Sequence, residues 1–107
     1  RLPIPTFVYI GRDGPRGAEL RAGPVRDRHL ATIEKLDAQG RIHFAGPLRD
    51  AEGKPRGSVV ILEAPDLAAA RALAEADPYR SEGVFEQLDV YESAVIFPRR
   101  PAPAPNS

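Results

Sequence analysis

The chain has 107 residues, 42% hydrophobic and 28% charged, the proportions of a soluble globular protein with room for one core. Fifteen Lys and Arg balance fifteen Asp and Glu, so no net field draws it to nucleic acid or to an anionic membrane. Cysteine is absent, which excludes disulfides, thiolate metal sites and cysteine nucleophiles, and no apolar run approaches the ~20 residues that span a bilayer. The sequence opens on Arg1 rather than methionine. A cytoplasmic location is expected, with a periplasmic or secreted one left open by whatever preceded Arg1.

Thr6 to Gly11 is a run of β-formers after two prolines and predicts a first strand. Arg12 to Gly23 is polar and broken by Gly14-Pro15 and Gly17, which predicts a loop or an ill-ordered insertion. A first helix is expected from Pro24 or Val25, with Val25, Leu30, Ile33 and Leu36 on its buried face and Gly40 as its stop. Arg41 to Gly46 alternates and predicts a second strand with Ile42 and Phe44 on one face; His43 then points to the surface. Pro47 to Arg56 reads as a hairpin connection with its tip at Asp50–Gly53.

Gly57 to Glu63 carries a continuous aliphatic run and predicts a central strand covered on both faces. Asp66 is placed to cap a helix over Leu67–Ala76, with Leu67, Ala70, Leu73 and Ala74 as its buried stripe. Val84 to Tyr91 predicts a fourth strand, and Ser93–Phe97 either extends it or forms a short fifth. From Pro98 to Ser107 the proline-rich sequence predicts a flexible tail outside a single domain of residues 1–97. The order β-α-β-β-α-β is that of a ferredoxin-like α+β sandwich, two helices on one face of an antiparallel sheet. The other face is left bare and apolar, so a homodimer that covers it is expected.

Asp77 is out of keeping with its place. Pro78 ends the second helix at about this residue, and the C-terminal end of a helix carries partial negative charge that favours a cation or glycine over a carboxylate. Such a break of local rules marks a candidate site, although Asp-Pro is also an ordinary turn dipeptide. Ser58, at the start of the central strand, can hydrogen-bond a ligand, though serine is common at strand starts. Tyr79 places a phenol near Asp77, or simply packs on the helix. Gly46 offers a backbone N–H that Pro47 lacks. Arg80 and Arg28 are candidates to hold an anionic substrate, against the plainer reading of solvated side chains. Two histidines without an i, i+4 partner make no zinc site, so no metal is expected, and no glycine cluster matches a phosphate loop.

Taken together, Arg28-His29-Leu30, Ala45-Gly46-Pro47-Leu48, Gly57-Ser58, Ala76-Asp77-Pro78-Tyr79 and Gly83-Val84 give the stretch Thr6–Phe97 a resemblance to the YciI-like (YCII-related) proteins. The resemblance implies a member of the dimeric α/β-barrel group, and it implies His29 and Asp77 as a catalytic pair. One branch of that family resembles a dehydrochlorinase acting on a chlorinated hydroquinone. The loop 12–23 and the proline-rich tail depart from the pattern. The function expected is that of a small enzyme without a cofactor, using His29 and Asp77 for a lyase, dehydrochlorinase-like or hydrolase step on a small organic molecule, with Ser58, Tyr79, Gly46 and Arg80 around the substrate. The alternative is a non-catalytic module that binds a small ligand in the same cleft. Whether His29, in the first helix, reaches Asp77, at the end of the second, is not decided by topology.

Overall fold

The computed structural model describes residues 4–99. Residues 100–107, most of the expected tail, lie outside them. Four strands, β1 (Thr6–Asp13), β2 (Ile42–Arg49), β3 (Pro55–Glu63) and β4 (Phe85–Ser93), form one antiparallel sheet in the order β2-β3-β1-β4. Helices α1 (Gly17–Arg21), α2 (Val25–Ala38), α3 (Leu67–Ala76) and α4 (Pro78–Ser81) complete the described residues. This is the ferredoxin-like α+β arrangement.

Alternation in the two central strands sorts their side chains. Phe7, Tyr9, Ser58, Val60 and Leu62 are buried, whereas Val8, Ile10, Val59 and Ile61, on the opposite face, are half-buried. The core therefore fills one side of the sheet, where Ala70 and Ala74 of α3 and Val84 are fully buried. Alanines at those positions let α3 lie close to the sheet. Each long helix is closed by its own sequence. In α2 the amide of Gly40 bonds the carbonyl of Asp37 and that of Arg41 bonds Leu36, with Gly40 at φ +72°, a C-terminal motif that glycine adopts without penalty. At the start of α3 the Asp66 carboxylate accepts from the amide of Ala69 at 2.8 Å.

Several expectations change. Residues 12–23 are not a plain loop: β1 runs on to Asp13 and α1 follows. A bulge in β2 pairs Ile42 with Leu62 but Phe44 with Ile61, so Ile42 and Phe44 face opposite sides rather than sharing one. The bulge turns Phe44 to the open face, where it is 52% exposed. Gly46 and Pro47 belong to β2, which continues to Arg49, and an edge strand tolerates that proline. Leu30 and Leu67, assigned to buried helix faces, are exposed. Ser93 ends β4 opposite Thr6, and Val95, Ile96 and Phe97 form no strand and are exposed.

Candidate active site

Asp77 ends α3 and starts α4 at once. Its backbone closes α3, and its carboxylate then caps the next helix by accepting the amide of Tyr79 at 2.9 Å, with Pro78 in the first position of α4. The charge that is unfavourable for α3 is thereby favourable for α4. The turn also folds the chain back, so that α4 packs against α2 and brings Asp77 to His29.

The carboxylate is 0% exposed and both of its oxygens are hydrogen-bonded. Oδ1 lies 2.7 Å from Nδ1 of His29 and accepts the Tyr79 amide; Oδ2 accepts the hydroxyl of Tyr9 at 2.6 Å. A buried carboxylate is tolerated only with such partners. Burial, and then the charge and hydrogen bond of Asp77, push the Tyr9 hydroxyl far above its usual range, so it stays a donor. The imidazole is held from a second side. Tyr79 stacks flat on it at 3.8 Å between centroids, 3° from parallel, and Phe85 in turn meets the Tyr79 ring edge-on at 5.7 Å. Phe85 reaches that place because Gly11 lies beneath its ring; a Cβ there would overlap the ring atoms.

Arg21, from α1, forms a second wall. It donates Nε to Asp13 Oδ2 at 2.6 Å and Nη2 to Asp13 Oδ1 at 2.9 Å, sends Nη2 to Ser58 Oγ at 3.0 Å, and lies 4.9 Å from the Tyr79 ring centroid. Gly17 leaves room for this pair, since a Cβ would come 2.6 Å from the Asp13 carboxylate. Burial raises the Tyr79 hydroxyl above its ordinary value, against the opposing charges of Arg21 and Arg26.

His29, Ser58, Tyr79 and Gly46 line one cleft of about 500 Å³ between α1, α2 and the sheet, the size of a small-molecule site. Asp77 lies behind it. Arg80 and Arg28 are not in the cleft wall. Arg80 donates to the carbonyls of Phe85 and Glu86 at 3.2 Å, and Arg28 pairs with Glu82 at the surface, its Nε donating at 2.8 Å. The arginines of the cleft are Arg21, Arg26 and Arg49 instead. Tyr9, Asp13, Arg21 and Phe85 escape the sequence reading. The first carries one visible signal, a phenol on the core side of a strand, which needs a buried partner. The others depend on α1 and on the long-range meeting of β1 with β4.

A ferredoxin-like sheet with an Asp–His contact buried at one end, opening to a small cleft, defines a class of small α+β proteins. The chain belongs to the YCII-related family, whose domain it matches over residues 6–94. Protein YciI of Escherichia coli O6:H1 is 35% identical over 97 residues, spanning 85% of this chain and 98% of that protein. An uncharacterized protein of Haemophilus influenzae is 33% identical over the same span. Among solved structures, the 5-chloro-2-hydroxyhydroquinone dehydrochlorinase TftG of Burkholderia phenoliruptrix AC1100, in complex with 2,5-dihydroxybenzoquinone, superposes with a TM-score of 0.73. It is 26% identical, with 83% of this chain and 93% of that chain covered.

Proposed function

We propose that the protein is an acid–base enzyme acting on a small organic substrate, with Nε2 of His29 as the proton carrier and Asp77 as its positioning residue. The observation that carries this reading is the fully buried Asp77 carboxylate 2.7 Å from Nδ1. Its two oxygens already accept from a phenol and an amide, so it acts as an acceptor towards the ring as well, and Nδ1 holds the proton. Nε2 is then left with its lone pair on the cleft side. When Nε2 takes a proton, the imidazolium formed is stabilised by Asp77 at hydrogen-bond distance and by the face of Tyr79.

The step this supports is elimination. Nε2 removes a proton from the bound substrate, the electron pair left behind forms a double bond, and the leaving group departs with its own pair. The proton on Nε2 then passes to solvent or to the leaving group. The likeness to TftG, a dehydrochlorinase, supports a cyclic hydroxylated substrate of that kind. A homodimer belongs to the same proposal: Phe44 and Tyr91, 52% and 55% exposed, lie with Leu48 on the face of the sheet away from the helices, and a second copy would cover them.

The test is chloride release from 5-chloro-2-hydroxyhydroquinone and related chlorinated hydroquinones by the protein and by His29→Gln. Loss of about 10²–10⁴-fold in the variant is expected, the usual share of a general acid–base group. Equal rates in the two proteins would refute the role of His29, and saturable binding without turnover would favour a binding module.

A further inference from the structure

Resting on the acid–base reading of His29, we infer that the substrate is a small organic anion, a carboxylate or an acidic phenolate, whose charge is taken by Arg26 and Arg49 while its apolar body lies against Leu30, Ile33 and Val60.

The chain as a whole is neutral, fifteen cationic against fifteen anionic side chains, yet the wall of the cleft is not. Three arginines line it, Arg21, Arg26 and Arg49, and no Asp or Glu does. Arg21 is already neutralised: both oxygens of Asp13 hold it, in a pair whose side chains are 11% and 5% exposed. It is a fixed part of the wall. Arg26 and Arg49 are different. Among the described residues neither forms an ion pair, and neither donates a side-chain hydrogen bond. One stands in the first turn of α2 and the other at the end of β2, so they reach the cleft from different elements. Two guanidinium groups at the edge of a small cavity raise the local concentration of an anion and offer it forked donors.

Ser58 adds a neutral donor. Its Oγ accepts from Arg21 at 3.0 Å, which leaves its O–H to turn to a ligand. The remaining wall argues against a bare inorganic ion. Leu30 sits 40% exposed on α2 and faces this space with Ile33 and Val60, and an exposed leucine in a cleft is paired most economically with an apolar ligand surface. The Tyr79 ring in the same wall is already engaged by His29 and Arg21, so the surface left to the ligand body is aliphatic. An anionic head beside the arginines and an apolar body against these aliphatic side chains put the ligand within reach of Nε2 of His29.

The experiment is a titration of 4-hydroxybenzoate, benzoate, 4-hydroxybenzamide, benzamide and inorganic phosphate into the full chain near neutral pH, followed by amide chemical shifts. The carboxylates are expected to bind about ten-fold or more tightly than their amides, the factor that one charge-assisted hydrogen bond supplies. Phosphate should bind more weakly than either carboxylate, and added salt should weaken the anions while leaving the amides unchanged. In Arg26→Gln/Arg49→Gln, both exposed positions whose replacement disturbs no internal pair, the preference for the carboxylate should disappear while amide binding stays. Equal affinities for acid and amide, no saturable binding of any carboxylate, or a preference unchanged in the double variant would overturn the inference. His29→Gln separates the two claims. An anion preference kept in that variant, with turnover also kept, removes the acid–base role and leaves the anion site standing. Turnover confined to neutral substrates, and lost in His29→Gln, does the reverse.

Discussion

Tyr9 is the residue on which the buried charge depends most quietly. Its hydroxyl is the sole side-chain donor to Oδ2 of Asp77 among the described residues. In Tyr9→Phe that oxygen stays buried without a partner, at a cost of about 1–3 kcal/mol in unfolding free energy. The penalty should also depend on pH in a defined sense. Burial first, and the Asp77 charge second, raise the Tyr9 pKa above its reference of 10.0. The folded protein therefore holds this proton more tightly than the unfolded chain. The stabilisation is full below about pH 10 and is lost progressively as pH climbs beyond it. Urea unfolding should show the gap between the parent and Tyr9→Phe shrinking above pH 10; a gap constant to higher pH would contradict the assignment. Sequence reasoning reached Asp77 through its misplacement after a helix, and His29 through resemblance. It could not reach Tyr9, because 68 positions separate the phenol from its acceptor and nothing local to β1 records that distance.

At the scale of elements, the strands, α2 and α3 were legible because each carries its own periodicity and stop signal: Gly40 closing α2, Asp66 opening α3, the aliphatic run of β3. What was not legible is where one element is adjusted by another. The bulge in β2 breaks a clean alternation that the residues display, and α1 forms in a segment rich in breakers because Asp13 receives Arg21. The close packing of β3 on β1 belongs to the same category. A Cβ on Gly57 would overlap the carbonyl oxygen of Gly11, a backbone atom that cannot swing aside. Gly57→Ala should cost about 1–3 kcal/mol by forcing the two strands apart. Because Gly57 adjoins Ser58, the same variant should weaken ligand binding. Thermal unfolding and the binding titration read these effects, and a variant as stable as the parent would mean that the strands are less tightly apposed than described.

For the whole molecule, the apolar open face is the feature that a single copy does not account for. Helices cover one side of the sheet, while Phe44, Leu48 and Tyr91 stand exposed on the other beside the half-buried Val8, Ile10, Val59 and Ile61. A homodimer should be present at micromolar concentration by light scattering, and Phe44→Glu/Tyr91→Glu should convert it to a folded monomer by placing charge in the contact. A parent protein that is monomeric under those conditions would contradict the assembly. The sequence announced the bare face through the continuous run in β3, but it could not say which residues of β2 join it, since the bulge decides that.

In the proposed mechanism Asp77 holds the proton on Nδ1 of His29 and leaves Nε2 free as the base. Imidazole nitrogen shifts of His29 in labelled protein, followed by NMR at a pH where the ring is neutral, read this directly and need no substrate. The expected result is a protonated Nδ1 and an unprotonated Nε2. A neutral ring carrying its proton on Nε2 would contradict it, because the nitrogen facing the cleft would then have no lone pair to offer.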